Sequence, residues 1–513
     1  MRPSFRPLPC SWRRGGPAAA LALAALTLAP GPTPLAPVNS DGGRCTRLTH
    51  LRVPGAEHQR AACLEELTTA GTVTSGHTDP ADWAGLTPQG LAVPEGVPGV
   101  QIDGYFPDTS TTNTNNRWDH DAQFVIRLPD RWNGGLVVAG TPGNREQYAN
   151  DRAIADWVLS RGYAYAATDK GNTRPAFYRD GRKPGDAIAE WNDRLTQLTR
   201  AARATVARHY HRPPSRTLVT GMSNGGYLVR WQLENHPGLY DGGVDWEGTL
   251  WRSDGPTLLN FLPEALRNYP VFATGGERAD AARRALHGAG FPAGSEFLWP
   301  YHHKVYWDLT QRVYREELDP AFDGPTEAGT PFCAPGTSAC DADYDYAARP
   351  DEVRTAVDRI ALTGRIGKPL ITLHGTLDVL LPITQDSDLY ARMVRQAGRS
   401  PLHRYYRIEG GTHTDALADT YPGRLRPLTP CHRAAFTTLE TWLRPGHHPP
   451  SSHTVPLPVE ADAAALLNTC PLDGPGDATL KAEARTTPPA TRGGRLIDTA
   501  TGAVELTEVS TAR

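Results

Sequence analysis

From about Val100 the chain alternates short runs of strand type with longer runs of helical type, and no other feature narrows its fold as much. GGLVVAG (134–140) is a continuous apolar run between turn residues, as expected of a strand buried on both faces. In EQYANDRAIADWVLSRG (146–162), Ile154, Trp157 and Val158 are spaced for one face of a helix. YAYAATD (163–169), RTLVTG (216–221), YDGGVDWEG (240–248), PLITLHG (369–375) and HRYYRIEGG (403–411) read as further strands. Between them WNDRLTQLTRAARATVARHY (191–210), NGGYLVRWQLENH (224–236) and DSDLYARMVRQAG (386–398) read as helices. Strands and helices alternating at these lengths imply a mostly parallel sheet with helices on both faces. GVQIDGYF (99–106) and DAQFVIRLP (121–129) supply an antiparallel edge.

The alternation stops between Trp251 and about Thr363, roughly 110 residues and far longer than an ordinary connection. This insert holds a helical stretch, TLLNFLPEALRNY (257–269), and an aromatic group, Phe297, Trp299, Tyr301, Tyr306 and Trp307. It is expected to form a lid over the carboxyl ends of the strands, a separate domain being the alternative. The expected divisions are residues 39–251 and 363–446 for the core, 252–362 for the insertion and 447–513 for an extended tail. The tail opens with RPGHHPPSSHTVPLPVE (444–460), the composition of a surface segment, and offers one hairpin at GRLIDTATGAVEL (494–506).

Residues 1–38 read as a signal peptide. Arg2, Arg6, Arg13 and Arg14 precede the apolar run AAALALAALTLA (18–29), which is too short to span a bilayer. Arg13-Arg14 leaves both the general and the twin-arginine export routes open. No later segment approaches ~20 continuous apolar residues, so a secreted, extracellular protein without a membrane partner is expected. Cleavage removes Cys10 and leaves six cysteines, an even set suited to disulfides. Proximity pairs Cys45 with Cys63, Cys333 with Cys340, and Cys431 with Cys470. A formal net charge of -3 gives no reason to expect nucleic acid or an acidic membrane surface.

Within this frame RTLVTGMSNGGYLVRWQLENH (216–236) sets Ser223 between a buried strand and a helix, in Gly221-x-Ser223-x-Gly225. A nucleophile elbow needs small neighbours there, because the turn is strained and the adjoining strand and helix crowd it. It lifts the hydroxyl beside free N–H groups at a helix amino terminus, where an oxyanion can be stabilised. A serine needs a base, and partners occur where the fold requires them. Asp378 lies just beyond the strand PLITLHG, and His413 lies in the loop after the next strand. The order Ser, Asp, His suits this architecture. Asp245 and Asp386 compete with Asp378 for the acid position. One oxyanion N–H is expected from Asn224, and the other from Thr141, Gly143 or Asn144 after the strand GLVVAG, with Thr141 preferred.

At these motifs the chain resembles the α/β-hydrolase superfamily from about Val100 to Arg444. RLPDRWNGGLVVAG, LSRGYAYAATDKGNT and GMSNGGYLVRWQLENHPGLYDGGV resemble the tannase and feruloyl esterase group. The resemblance implies a secreted carboxylic-ester hydrolase with a large lid after the strand that follows the nucleophile helix. The resemblance further implies action on small-molecule or polymeric esters with no required cofactor. The group usually carries a disulfide between a cysteine before the serine and one after the histidine; here Met222 and Thr414 stand at those positions. Lids in the group can hold calcium, and CDADYDYAARPDE offers Asp341, Asp343, Asp345 and Glu352, although Tyr346 stands where a helix-loop-helix calcium site needs glycine. The pairs HYH, YHH and GHH are expected at the surface.

Two other readings of the sequence remain. A secreted serine peptidase on the same fold needs a site for a peptide amino terminus, for which Glu316 and Glu317 are candidates. A binding protein that keeps the fold typically loses one of the three residues, and here all three are present.

Overall fold

A computed structural model describes residues 48, 51–322, 336–337, 340–458 and 463–473. The expected signal peptide, Cys45, Cys333 and the hairpin at 494–506 lie outside the described residues. Ten strands form one sheet: β1 His58–Leu64, β2 Gly99–Tyr105, β3 Gln123–Pro129, β4 Gly135–Gly140, β5 Ala164–Thr168, β6 Arg216–Met222, β7 Gly242–Trp246, β8 Leu370–Gly375, β9 His403–Ile408 and β10 His453–Val455. Their spatial order is β1-β2-β3-β5-β4-β6-β7-β8-β9-β10. The first three pair antiparallel, as does β3 with β5; from β5 to β10 every pairing is parallel. This is the mostly parallel sheet with an antiparallel edge expected from the alternation.

The period of two along each strand explains the two cores. In β4, Leu136 and Val138 join the cluster that holds Trp191, Leu195 and Tyr227. Val137 and Ala139 join the opposite cluster with Tyr163, Phe436 and Leu439. Helices Asp186–His209 and Asn224–Asn235 thus cover one face, and helix Thr429–Trp442 the other. The stretch 146–162 is less regular than its spacing predicts: a π-helical turn, Asp151–Ala155, leads into the short helix Asp156–Ser160.

The insert is fastened to this core, and all described residues belong to one compact unit. Helix Leu258–Ala273 starts with a capping box in which Leu259 N–H donates to Thr257 Oγ1 at 3.2 Å and Thr257 N–H to Asn260 Oδ1 at 2.8 Å. Helix Asp308–Leu318 sends Glu317 to the start of Asp186–His209, where its Oε1 accepts the N–H groups of Ala187 (2.9 Å) and Ile188 (3.3 Å). Trp307 donates its indole N–H to the Val379 carbonyl at 2.7 Å.

Two strands escape the sequence reading. β1 is an edge strand with an irregular burial pattern. β10 lies inside the proline-rich surface segment and pairs with β9 through His453, Thr454 and Val455. Behind it the Cys431–Cys470 disulfide ties the tail to helix Thr429–Trp442, as proximity suggested. Cys63 and Cys340 are also disulfide-bonded. Among the described residues no helix is long and apolar enough to cross a membrane.

Candidate active site

Four strand ends build the site. β4 and β6 pair so that Gly140 faces Gly221, and both stop where the helix Asn224–Asn235 begins. Ser223 occupies the turn with φ 58° and ψ -122°, a left-handed conformation costly for a residue with a side chain. The glycines are required by close approach. A Cβ on Gly225 would sit 2.0 Å from the Gly140 carbonyl oxygen, and one on Gly221 2.6 Å from that of Gly225. Crowding between β4, β6 and the start of the helix is what requires glycine at both positions.

His413, in the loop after β9, brings Nε2 to 3.0 Å from Ser223 Oγ. Its Nδ1 lies 2.8 Å from Oδ2 of Asp378, which follows β8 and is fully buried. Asp378 Oδ1 accepts the N–H groups of Leu380 (2.8 Å) and Leu381 (2.9 Å), and His374 Nε2 lies 3.3 Å from Oδ2. Burial pushes the Asp378 carboxyl up, but His413 and His374 outweigh it and hold it well below the usual carboxylate range. Such a line of side chains can take a proton from the serine hydroxyl while an ionised acid steadies the imidazole. The competing acids are occupied elsewhere: Arg230 pairs with Asp245 at 2.6 Å and with Asp386 at 2.8 Å, all three buried.

A cavity of about 240 Å³ opens over Ser223 and His413. Leu258, Leu309 and Val313 of the insert and Leu380 and Leu381 after β8 give it apolar walls. Thr249, Thr310, Thr414, Asn144 and Arg145 add polar atoms. Of the aromatic group in the insert, Tyr306 lines this cavity, whereas Trp299 and Trp307 are fully buried against Phe272 and Phe291. Tyr314 also lines the cavity and was not singled out from the sequence.

The loop after β4 borders the cavity through Pro142, Gly143, Asn144 and Arg145. Thr141 does not: it is fully buried, its hydroxyl donates to the Thr168 carbonyl at 3.1 Å, and it accepts from Lys170 Nζ at 2.5 Å. Lys170 also donates to the Arg145 carbonyl at 3.1 Å, bracing the loop from behind. Burial pushes its ammonium down to about 7. From the other side Asn224 Nδ2 donates to the Gly143 carbonyl and to the Tyr314 hydroxyl, while Thr249 donates to Asn224 Oδ1 at 3.0 Å.

The remaining sequence candidates sit elsewhere. Glu316 and Glu317 do not border the cavity: Glu316 is ion-paired with Arg315 at 3.0 Å and Glu317 caps a helix. Both are buried, and the partners of Glu317 come from another helix, Asp186–His209. Three carboxylates of the acidic loop have partners within the chain. Asp341 is buried against Arg315 at 3.0 Å, Asp343 accepts from Gly336 N–H, and Asp345 accepts from Ala347 N–H. Among the described residues the metal-capable side chains that converge are Glu247, Asp378 and His413, and separately Asp108, Asp180 and Glu190. His302 of the YHH stretch is buried, not at the surface, with Nδ1 3.0 Å from the Leu298 carbonyl.

Comparison with known proteins adds two family matches. Residues 109–245 match the model for tannase and feruloyl esterase, and residues 333–473 that for 3HB-oligomer hydrolase. Over 141 residues the chain is 30% identical to a mono(2-hydroxyethyl) terephthalate hydrolase of Piscinibacter sakaiensis, covering 24% of this chain and 23% of that protein. The match thus spans under a quarter of the relative's length. Feruloyl esterase B from Aspergillus oryzae aligns over 79% of this chain and 90% of its own, with a TM-score of 0.49 and 12% identity. Tannin acyl hydrolase from Aspergillus niger aligns over 75% and 89%, with a TM-score of 0.41 and 15% identity.

Proposed function

We propose that this α/β-hydrolase, similar to tannases and feruloyl esterases over residues 109–245, cleaves carboxylic esters through an acyl-enzyme on Ser223. The observation that carries this reading is the continuous contact from Ser223 Oγ through His413 to Asp378, at 3.0 and 2.8 Å. His413 takes the hydroxyl proton as Ser223 attacks the ester carbonyl, then gives it to the departing alcohol. Water activated by the same imidazole releases the acid. Asp378 holds the ring in one tautomer and stabilises the imidazolium.

The tetrahedral oxyanion is met by the Asn224 backbone N–H and by a second donor from the loop after β4. Thr141 was the preferred second donor; the cavity lining shifts that preference to Gly143 and Asn144. The insert acts as a lid, since Leu309 and Val313 close one side of the cavity. Its mixed lining suits an ester with an apolar acyl or aromatic part, and a polyester fragment is within the same class. The amino-terminal 38 residues and the Cys431–Cys470 disulfide support secretion.

The test is hydrolysis of short and long p-nitrophenyl esters, methyl ferulate and a peptide anilide by the parent and its Ser223→Ala variant. Ester turnover that disappears in the variant supports the mechanism. Cleavage of the anilide alone transfers the reading to a peptidase, and equal activity of the two proteins removes Ser223 from the chemistry.

A further inference from the structure

Glu247 directly follows β7, on the sheet edge that carries Ser223, Asp378 and His413. Its backbone is left-handed, with φ 52°, and its side chain is fully buried. Oε1 accepts the Gly375 N–H at 2.8 Å, at the end of β8. Oε2 has no hydrogen-bond partner and lies 3.8 Å from His413 Nδ1. That is the nitrogen Asp378 Oδ2 meets at 2.8 Å. The imidazole therefore faces two carboxyl groups, delivered by neighbouring strands.

We propose that Glu247 is a second carboxyl for His413, a positioning residue that shares Nδ1 with Asp378 and becomes its acceptor when Asp378 is removed. The proposal rests on the reading of Ser223 and His413 as nucleophile and base. A strained backbone and a buried oxygen without a partner are both unfavourable, and the Gly375 bond alone explains neither, since a glutamine would make it equally well. Two carboxylates so close in a dry site do not both ionise. Burial first, and then the charge of Asp378, hold Glu247 protonated well above the ordinary range; Asp415 and Asp245 add to this and the Gly375 N–H opposes it. In the intact protein Asp378 is thus the ion and Glu247 the neutral acid, with His374 supporting the division through its contact to Asp378. Loss of Asp378 removes the nearest like charge and leaves the imidazole N–H without its acceptor. A side-chain rotation closing roughly 1 Å then brings Glu247 Oε2 within hydrogen-bond range as a carboxylate.

The test is a double-mutant cycle in kcat/KM for a p-nitrophenyl ester, with Asp378→Ala, Glu247→Gln and the double variant, each checked by thermal melting. Gln keeps the acceptor for Gly375 N–H but cannot ionise. Glu247→Gln alone is expected to cost a few-fold, whereas in the Asp378→Ala background it costs at least a further tenfold. Asp378→Ala is also expected to gain activity with rising pH through an ionisation that the double variant lacks. Should Asp378→Ala fail to fold, Asp378→Asn serves the same comparison, since its amide oxygen still accepts from Leu380 and Leu381. Equal costs of Glu247→Gln in both backgrounds, or a pH profile common to Asp378→Ala and the double variant, would overturn the proposal. A parent without esterase activity, or an active Ser223→Ala variant, would instead remove the function it rests on.

Discussion

Asn224 Nδ2 donates to the Gly143 carbonyl at 3.1 Å, so the residue after the candidate nucleophile is tied by its side chain to the loop facing it. Asn224→Ala keeps its own backbone N–H but frees that loop and strands the Thr249 and Tyr314 hydroxyls. The expected result is a loss of about tenfold to a hundredfold in kcat with a smaller change in KM, because the misplaced donor matters most in the transition state. Steady-state kinetics on a p-nitrophenyl ester measure the split. A change confined to KM contradicts the assignment.

Arg230 is the counterion for two buried acids, Asp245 and Asp386, and its plane lies over Tyr390 at 4.4 Å. Arg230→Met leaves both carboxylates buried without it. The expected destabilisation is about 3–5 kcal/mol in urea unfolding. A loss within about 1 kcal/mol would mean that the two acids accept protons at little cost.

Asp156 is buried, accepts from Thr69 N–H (2.7 Å) and Thr69 Oγ1 (2.5 Å), and is raised by burial to about 7. Its folded value lies above the unfolded one, so its contribution is complete below about pH 4 and is lost as pH rises through 7. Asp156→Asn is therefore expected to gain stability relative to the parent between pH 5 and pH 8, by ~2 kcal/mol. Taking the difference between the two proteins cancels the buried histidines His403 and His432, both depressed to about 3, which act in the opposite sense. Unfolding at the two pH values measures it, and a pH-independent difference contradicts the assigned cause.

Val313 projects from the insert into a cavity of about 240 Å³. Val313→Phe shortens that space while leaving Ser223, His413 and Asp378 in contact. The kcat/KM ratio of long to short acyl esters is expected to fall by about tenfold or more. An unchanged ratio would mean that the acyl chain leaves by another path.

The elbow was legible because its signal is local: glycine spacing, a buried strand before it and an amphipathic helix after it all describe one turn. His413 and Asp378 followed from strand order alone. The structure adds why Asp245 and Asp386 do not compete with Asp378: Arg230 claims both. The capping role of Glu317 was not legible because its partners, the N–H groups of Ala187 and Ile188, are distant in sequence, which no local pattern records. Glu247 gave no sign for the same reason: DWEG reads as the end of a strand, and its nearness to His413 arises from the pairing of β7 with β8. β10 hid in a proline-rich stretch where three residues suffice to extend the sheet edge.

The central claim is that Ser223 is a nucleophile activated by His413, and covalent capture tests it most directly. Incubation with an alkyl p-nitrophenyl phosphonate, followed by peptide mass spectrometry, should give one adduct per chain. That adduct should lie on the peptide containing Ser223 and form at least a hundredfold more slowly in His413→Ala. An adduct on another residue, or labelling that ignores the loss of His413, would contradict the account.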